Sequence, residues 1–290
     1  MADDGHDRTT QDVGNIVALE HVNVKIPDQQ VATLFYVVGL GLTRDPYLMV
    51  GLDNMWINIG QQQFHLPTGT PQVLRGDVGL VIPDFDELPR RLAVVERHLA
   101  GTQFGYTVED KHVRVVSPWG NVIRCHPPGP AFGEMALGMP YVEFAVQRGA
   151  ADGIARFYRE GLGAPAVVAR DGGGDAARVT VGSYQELIFR ETADALPAYD
   201  GHHMQIYIAD FSSPHRWLSE RGLVTEESNW YQYRFQDIVD PGSGRVLFTI
   251  EHEVRSVRSP LYLRPLVNRN PAQRQPTYQR GRDAFVPGMS

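Results

Sequence analysis

From His21 onward, the stretch Leu19-Glu20-His21-Val22-Asn23-Val24-Lys25-Ile26-Pro27-Asp28 alternates polar and apolar side chains and ends in a proline and an aspartate. That is the period of a strand with one buried face, followed by a residue type that starts helices. The same pattern returns without a gap as Asp77-Val78-Gly79-Leu80-Val81-Ile82-Pro83-Asp84, and again as His203-Met204-Gln205-Ile206-Tyr207-Ile208-Ala209-Asp210. Downstream, Phe35-Tyr36-Val37-Val38-Gly39-Leu40-Gly41-Leu42 recurs as Phe157-Tyr158-Arg159-Glu160-Gly161-Leu162-Gly163-Ala164. This offset of 122 residues also carries Val22-Asn23-Val24 onto Phe144-Ala145-Val146, so strand and helix repeat in one register. Self-similarity at a fixed offset points to a repeated supersecondary unit.

Four units follow, near 17–66, 76–127, 139–192 and 201–253. In each, the first strand ends at Asp28, Asp84, Arg148 or Asp210, and a helix is predicted over 29–40, 86–100, 150–161 or 212–221. Leu88, Leu92, Val95 and Leu99 have helical spacing in the second, and Gly39, Gly101, Gly161 and Gly222 stand where a left-handed C-terminal cap is wanted. Short strands close each unit, such as 55–60 with 62–66 and 113–116 with 122–125. A βαβββ unit exposes one apolar sheet face and must pair. The predicted fold class is therefore α+β, with four such modules paired into two half-barrel cups. The boundaries expected are an extended or disordered 1–16, a first two-module domain at 17–127, a linker at 128–138, a second two-module domain at 139–253, and an arm at 254–290.

The arm is Pro- and Arg-rich, with seven arginines against one acid, a balance of +6 within a chain of net charge −7. It is expected to lie along the acidic body or a partner subunit through Tyr262, Leu263, Leu266 and Phe285, which allows a homodimer. The net negative charge argues against nucleic-acid binding, which needs a concentrated basic surface. No apolar run approaches the ~20 residues that span a bilayer. The polar start shows no secretory signal, so cytoplasm is the expected location. The one cysteine, Cys125, excludes an internal disulfide, and no phosphate loop or serine elbow appears.

The first strand with its Pro-Asp ending, the "Phe-Tyr-x-x-Gly-Leu-Gly" helix end and Ser117-Pro118-Trp119-Gly120-Asn121 together resemble the vicinal oxygen chelate superfamily. That superfamily includes glyoxalase I, extradiol dioxygenases and bleomycin-resistance proteins. The likeness covers about 17–253, and its four modules are similar to the long members. The resemblance implies four ligand positions per cup, on the first and last strands of two paired modules. By register the first-strand positions hold His21, Asp77, Glu143 and His203. The last-strand positions hold His65, Arg124, either Arg190 or Glu191, and Leu247, with Glu251 four residues beyond. Pairing module 1 with 4 gathers His21, His65, His203 and Glu251, and leaves Asp77, Arg124 and Glu143 as an ion-paired, inactive cup. Pairing 1 with 2 breaks both sets.

Each histidine alone also fits a hydrogen-bonded core imidazole, but three on registered positions point to a metal. Such a set suits a divalent ion, Fe(II) first, with Zn, Ni or Mn also possible. Of the adjacent pair His202 and His203, His203 faces the cup and His202 the surface. Arg44, Tyr47, Trp56, Asn58, Tyr231, Tyr233 and Arg234 are expected to line the cup, or to serve as strand-packing residues. Of these, Trp56, Asn58, Arg44 and Tyr231 are assigned to substrate and Tyr233, with Glu251, to catalysis. The leading expectation is a non-haem Fe(II) dioxygenase acting on a small, oxygen-chelating substrate. The alternatives are a glyoxalase-like lyase or isomerase and a metal-free, resistance-type binding protein.

Overall fold

The computed structural model describes residues 7–46, 49–171 and 174–284. The expected cup residue Tyr47, the anchor Phe285 and residues 1–6 lie outside that range. Module 1 runs β1 (Ile16–Asn23), α1 (Gln29–Ala32) continued by a π-helical turn (Thr33–Gly39), β2 (Thr43–Arg44), β3 (Asn54–Ile59) and β4 (Gln62–Pro67). Module 2 runs β5 (Gly76–Val81), α2 (Leu88–Glu96), β6 (Gly105–Val108), β7 (Val113–Val116) and β8 (Val122–His126). Module 3 runs β9 (Gly138–Gln147), α3 (Ala151–Leu162), β10 (Ala166–Asp171), β11 (Gly174–Gly182) and β12 (Gln185–Thr192). Module 4 runs β13 (His203–Ile208), α4 (Ser212–Ser219), β14 (Val224–Asn229), β15 (Gln232–Val239) and β16 (Val246–Ser256).

The strands form two eight-stranded sheets. One has the order β14-β15-β16-β13-β1-β4-β3-β2, and the other β10-β11-β12-β9-β5-β8-β7-β6. In every module the first and last strands are parallel neighbours. First strands join modules antiparallel, β1 with β13 and β5 with β9. Modules 1 and 4 therefore share one cup, and 2 and 3 the other, which is the pairing that sorts histidines from carboxylates. Each of the spans 17–127 and 139–253 hands one module to each sheet. Among the described residues no helix is long and apolar enough to cross a membrane.

The Gly-Leu-Gly motif divides its labour differently from the expected cap. A Cβ on Gly161 would stand 2.8 Å from the Trp217 ring of α4, and one on Gly39 3.2 Å from Val95 of α2. These first glycines let neighbouring helices approach. The left-handed backbone falls two residues later, at Gly41 (φ 77°) and Gly163 (φ 65°), while Gly101 and Gly222 adopt it as expected.

One polar pair sits inside the core between α3 and the sheet. His252 stacks on Phe235 and lies 2.7 Å from the Tyr158 hydroxyl, and its Nδ1 donates to the Ile250 carbonyl at 2.8 Å. The carbonyl only accepts, so Nδ1 carries the proton, and in the neutral ring that burial favours Nε2 accepts from Tyr158. Burial pushes His252 down to about 3. The unfolded chain takes up a proton there near the usual 6.5 that the folded chain refuses, so stability falls as pH drops from 6.5 toward 3. Replacing both partners, Tyr158→Phe with His252→Leu, is expected to reduce the slope of unfolding free energy against pH in that window by up to about 1.4 kcal/mol per pH unit. Urea unfolding at several pH values reads it; an unchanged slope would refute the assignment.

Candidate metal centre in the first cup

The site starts from a bulge. The ladder between β1 and β13 shifts register between Leu19 and His21. The backbone released there is taken up by Gln185 of the other sheet: its Oε1 accepts from the Leu19 N–H at 3.1 Å and its Nε2 donates to the Leu19 carbonyl at 2.9 Å. A bulge re-aims side chains locally. Here it brings Glu20 and His21 together, and His21 Nδ1 donates to Glu20 Oε2 at 2.6 Å. Burial pushes the Glu20 carboxyl up, but His21, Arg255 and Arg264 beside it hold it below its ordinary value. With Nδ1 committed, Nε2 of the fully buried His21 has no hydrogen-bond partner among the described residues.

Around His21 the alternation of each strand supplies the cup. The His65 ring stacks on His21 at 3.6 Å between centroids, and His203 meets it edge-on at 5.7 Å. Burial holds His65 well below the usual imidazole value and His203 down to about 3, so both are neutral near pH 7 and offer lone pairs. Glu253, 3% exposed, lies 3.8 Å from His203 Nε2 and is ion-paired with Arg234 and Arg255. Burial opposes ionisation of Glu253, but Arg255, His21 and Arg234 outweigh it and bring its carboxyl down to about 2. Among the described residues, two sets offer ligand atoms within 4.8 Å of one another: Glu20, His21 and His65, and His21, His203 and Glu253. His21 is common to both. A hollow of about 460 Å³ reaches His65, His203 and Glu253 of these sets and is walled by Trp56, Asn54, Asn23, Met49, Arg234 and Arg255. Three imidazoles with one carboxylate, and an orphaned buried nitrogen at their centre, fit a divalent transition metal.

Glu253 was not among the expected ligands. The parallel ladders explain why it belongs with them. His65 stands opposite Asn23, Arg124 opposite Gly79, and Arg190 opposite Ala145, each two residues beyond the first-strand position. By the same rule the residue opposite Gln205 in module 4 is Glu253. Spacing along the chain hides this because β15 and β16 slip register at Phe235/Asp237 and at Ile238/Val239. Glu251 instead lies beside His203, 3.5 Å from Nδ1, and is ion-paired with Arg234.

The remaining expected residues divide. Trp56, 5% exposed, lies flat on His65 with centroids 4.0 Å apart and planes 3° apart. Asn58 joins the deep end of the cup, accepting from Gln63 Nε2 at 2.6 Å. Arg44 turns away and donates to Gln29 on α1. Tyr231 is at the β14–β15 turn, against the arm residues Ser259 and Tyr278. Tyr233 packs under α4 against Phe211 and His215, on the side of β15 opposite Arg234. His202 corrects its expected surface position: it is fully buried, bonded through Nδ1 to Asp200 and covered by the Tyr199 ring.

In the second cup the corresponding positions are ion pairs. Arg124 pairs with Asp77, and Arg190 with Glu143 at 3.1 Å. A Cβ at Gly79 would stand 2.4 Å from the Tyr141 ring, so that side chain fills the space above the strand. The carboxylates there are already matched by arginines, and among the described residues no group of three potential metal ligands lies in this cup.

No family model matches the chain, and no curated protein matches it. Among solved structures, glyoxalase I from Zea mays is similar over 82% of this chain and 92% of its own, with 11% identity and a TM-score of 0.57. A provisionally named dioxygenase from Bacillus subtilis is similar over 83% of this chain and 85% of its own, with 16% identity and a TM-score of 0.54. At such identities the likeness shows the fold.

Proposed function

From a chain that carries the vicinal oxygen chelate fold and a buried His/Glu cluster in one of its two cups, we propose a divalent-metal enzyme acting on a small, oxygen-chelating organic substrate. The observation that carries this is His21: one nitrogen is held by Glu20 and the other is buried with no hydrogen-bond partner among the described residues, between His65 on one side and His203 with Glu253 on the other. An unsatisfied buried imidazole nitrogen is costly, and a cation would satisfy it. His21, His203 and Glu253 form a two-histidine, one-carboxylate set, which suits Fe(II) oxygenases, so Fe(II) is the leading ion and dioxygenation the leading reaction. Bound there, the metal would act as a Lewis acid on the substrate oxygens.

The chain's own groups supply the rest. Arg234 and Arg255 keep Glu253 ionised, and Trp56, stacked on His65, adds an apolar edge to the hollow. Glu251, 3.5 Å from His203 Nδ1, is the carboxylate proposed to take a substrate proton. That second carboxylate favours one further reading, a glyoxalase-like proton transfer. A cytoplasmic enzyme is the setting proposed for either. Of the expected arm anchors, the exposed Leu263 is the one proposed for contact in a homodimer.

Protein prepared without chelator and loaded anaerobically with Fe(II) is expected to consume oxygen with catechol-type substrates. Isomerisation of a thiohemiacetal without oxygen uptake would select the second reading. Neither activity, together with no retained metal, would leave the cup as a metal-free binding site.

A further inference from the structure

We propose that the C-terminal arm is a built-in part of the first cup, with Arg264 the positioning residue that sets His65; this rests on the metal reading above. Arg264, 5% exposed, reaches back across the chain to Asp45, 1% exposed, and donates to its Oδ2. The same oxygen accepts from Gln63 Nε2 at 2.7 Å, and Asn58 Oδ1 accepts from that nitrogen at 2.6 Å. A carboxylate paired with arginine accepts only, so it fixes which end of the Gln63 amide faces it. Gln63 Oε1 is thereby turned toward His65, 3.0 Å from Nε2. His65 Nε2 must donate, which leaves its lone pair on Nδ1. The arm cation thus selects the tautomer of a candidate ligand through two intervening side chains.

A second route reaches the face of the same ring. The Arg264 guanidinium lies 5.3 Å from the Trp56 ring centroid, and Trp56 stacks on His65. One side chain of the arm therefore backs both the edge and the face of His65. Further along, Asn268 contacts the Met49 sulfur, and Gln275 and Pro276 line the hollow opposite Met49 and Gly51. A buried pair such as Asp45–Arg264 is strongly destabilised when one member is removed, so it pins the arm in one position. Because the docked arm orders His65, arm docking and metal binding strengthen each other by one shared factor.

Co(II) titration of the full chain tests this, since the visible absorption of the ion reports ligand geometry. Arg264→Met keeps the aliphatic stem and is expected to raise the Kd for Co(II) about 10–100-fold and to alter the spectrum. Arg264→Lys is expected to recover part of both. Gln63→Leu cuts the same relay inside the cup and is expected to give a similar loss, with no further loss when combined with Arg264→Met. Should the arginine variant fold poorly, Asp45→Leu with Arg264→Met removes the buried charge together with its partner and the acceptor for Gln63, and carries the same expectation. Co(II) affinity and spectrum unchanged in these variants would overturn the proposal. An unaltered chain that takes up no Co(II) would overturn the metal reading first, and this one with it.

Discussion

Replacing His21 by alanine is expected to reduce bound metal from about one equivalent to less than a tenth, the level left when a central ligand is lost. His21 is the one residue present in both ligand sets, and its buried Nε2 has no hydrogen-bond partner among the described residues. Metal content by elemental analysis reads the outcome directly. Thermal denaturation gives a second reading, because an ion at 100 times its Kd stabilises the folded state by about 2.7 kcal/mol. That stabilisation is expected in the unaltered protein and absent in the His21→Ala variant. Equal metal content in the two proteins would remove the cluster as a metal centre.

The second large effect concerns folding. Glu253→Ala is expected to destabilise the chain by about 3–5 kcal/mol, because it leaves buried cations without their counter-charge. Arg255 is 5% exposed and is ion-paired with Glu253, while Arg234 bridges Glu253 to Glu251. Adding Arg255→Met to Glu253→Ala is expected to return part of the loss, since the cation is then gone as well. Urea denaturation of the single and double variants measures both. A loss below about 1 kcal/mol for Glu253→Ala would mean that water already compensates the arginines, and the cup would be wetter than its packing indicates.

Much of this architecture was legible in the chain before any coordinate. The offset of 122 residues and the repeated strand-to-aspartate stretches specify four modules, because period-2 alternation and turn residues are local properties that survive divergence. The sorting of His21, His65 and His203 from Asp77, Arg124 and Glu143 also anticipates which modules share a cup, and the sheet orders have that pairing. Alternation likewise places Trp56 and Arg234 on the cup face. The expected cup role of Tyr233 fails by the same rule, because a strand that turns Arg234 inward turns its neighbour Tyr233 outward under α4. A shift of one residue sends a side chain to the opposite face of a sheet.

What the chain alone determined is the module, its repetition, and the residue types available to each strand. Only the tertiary structure decided that Glu253 joins the histidines, that Glu20 orients His21 at a bulge, and that the distant Arg264 closes on Asp45. The reason is physical. Alternation says which residues share a face, but not where one strand stops against another. Ladder slips and bulges set that position, and they depend on side chains such as Gln185 that arrive from another sheet.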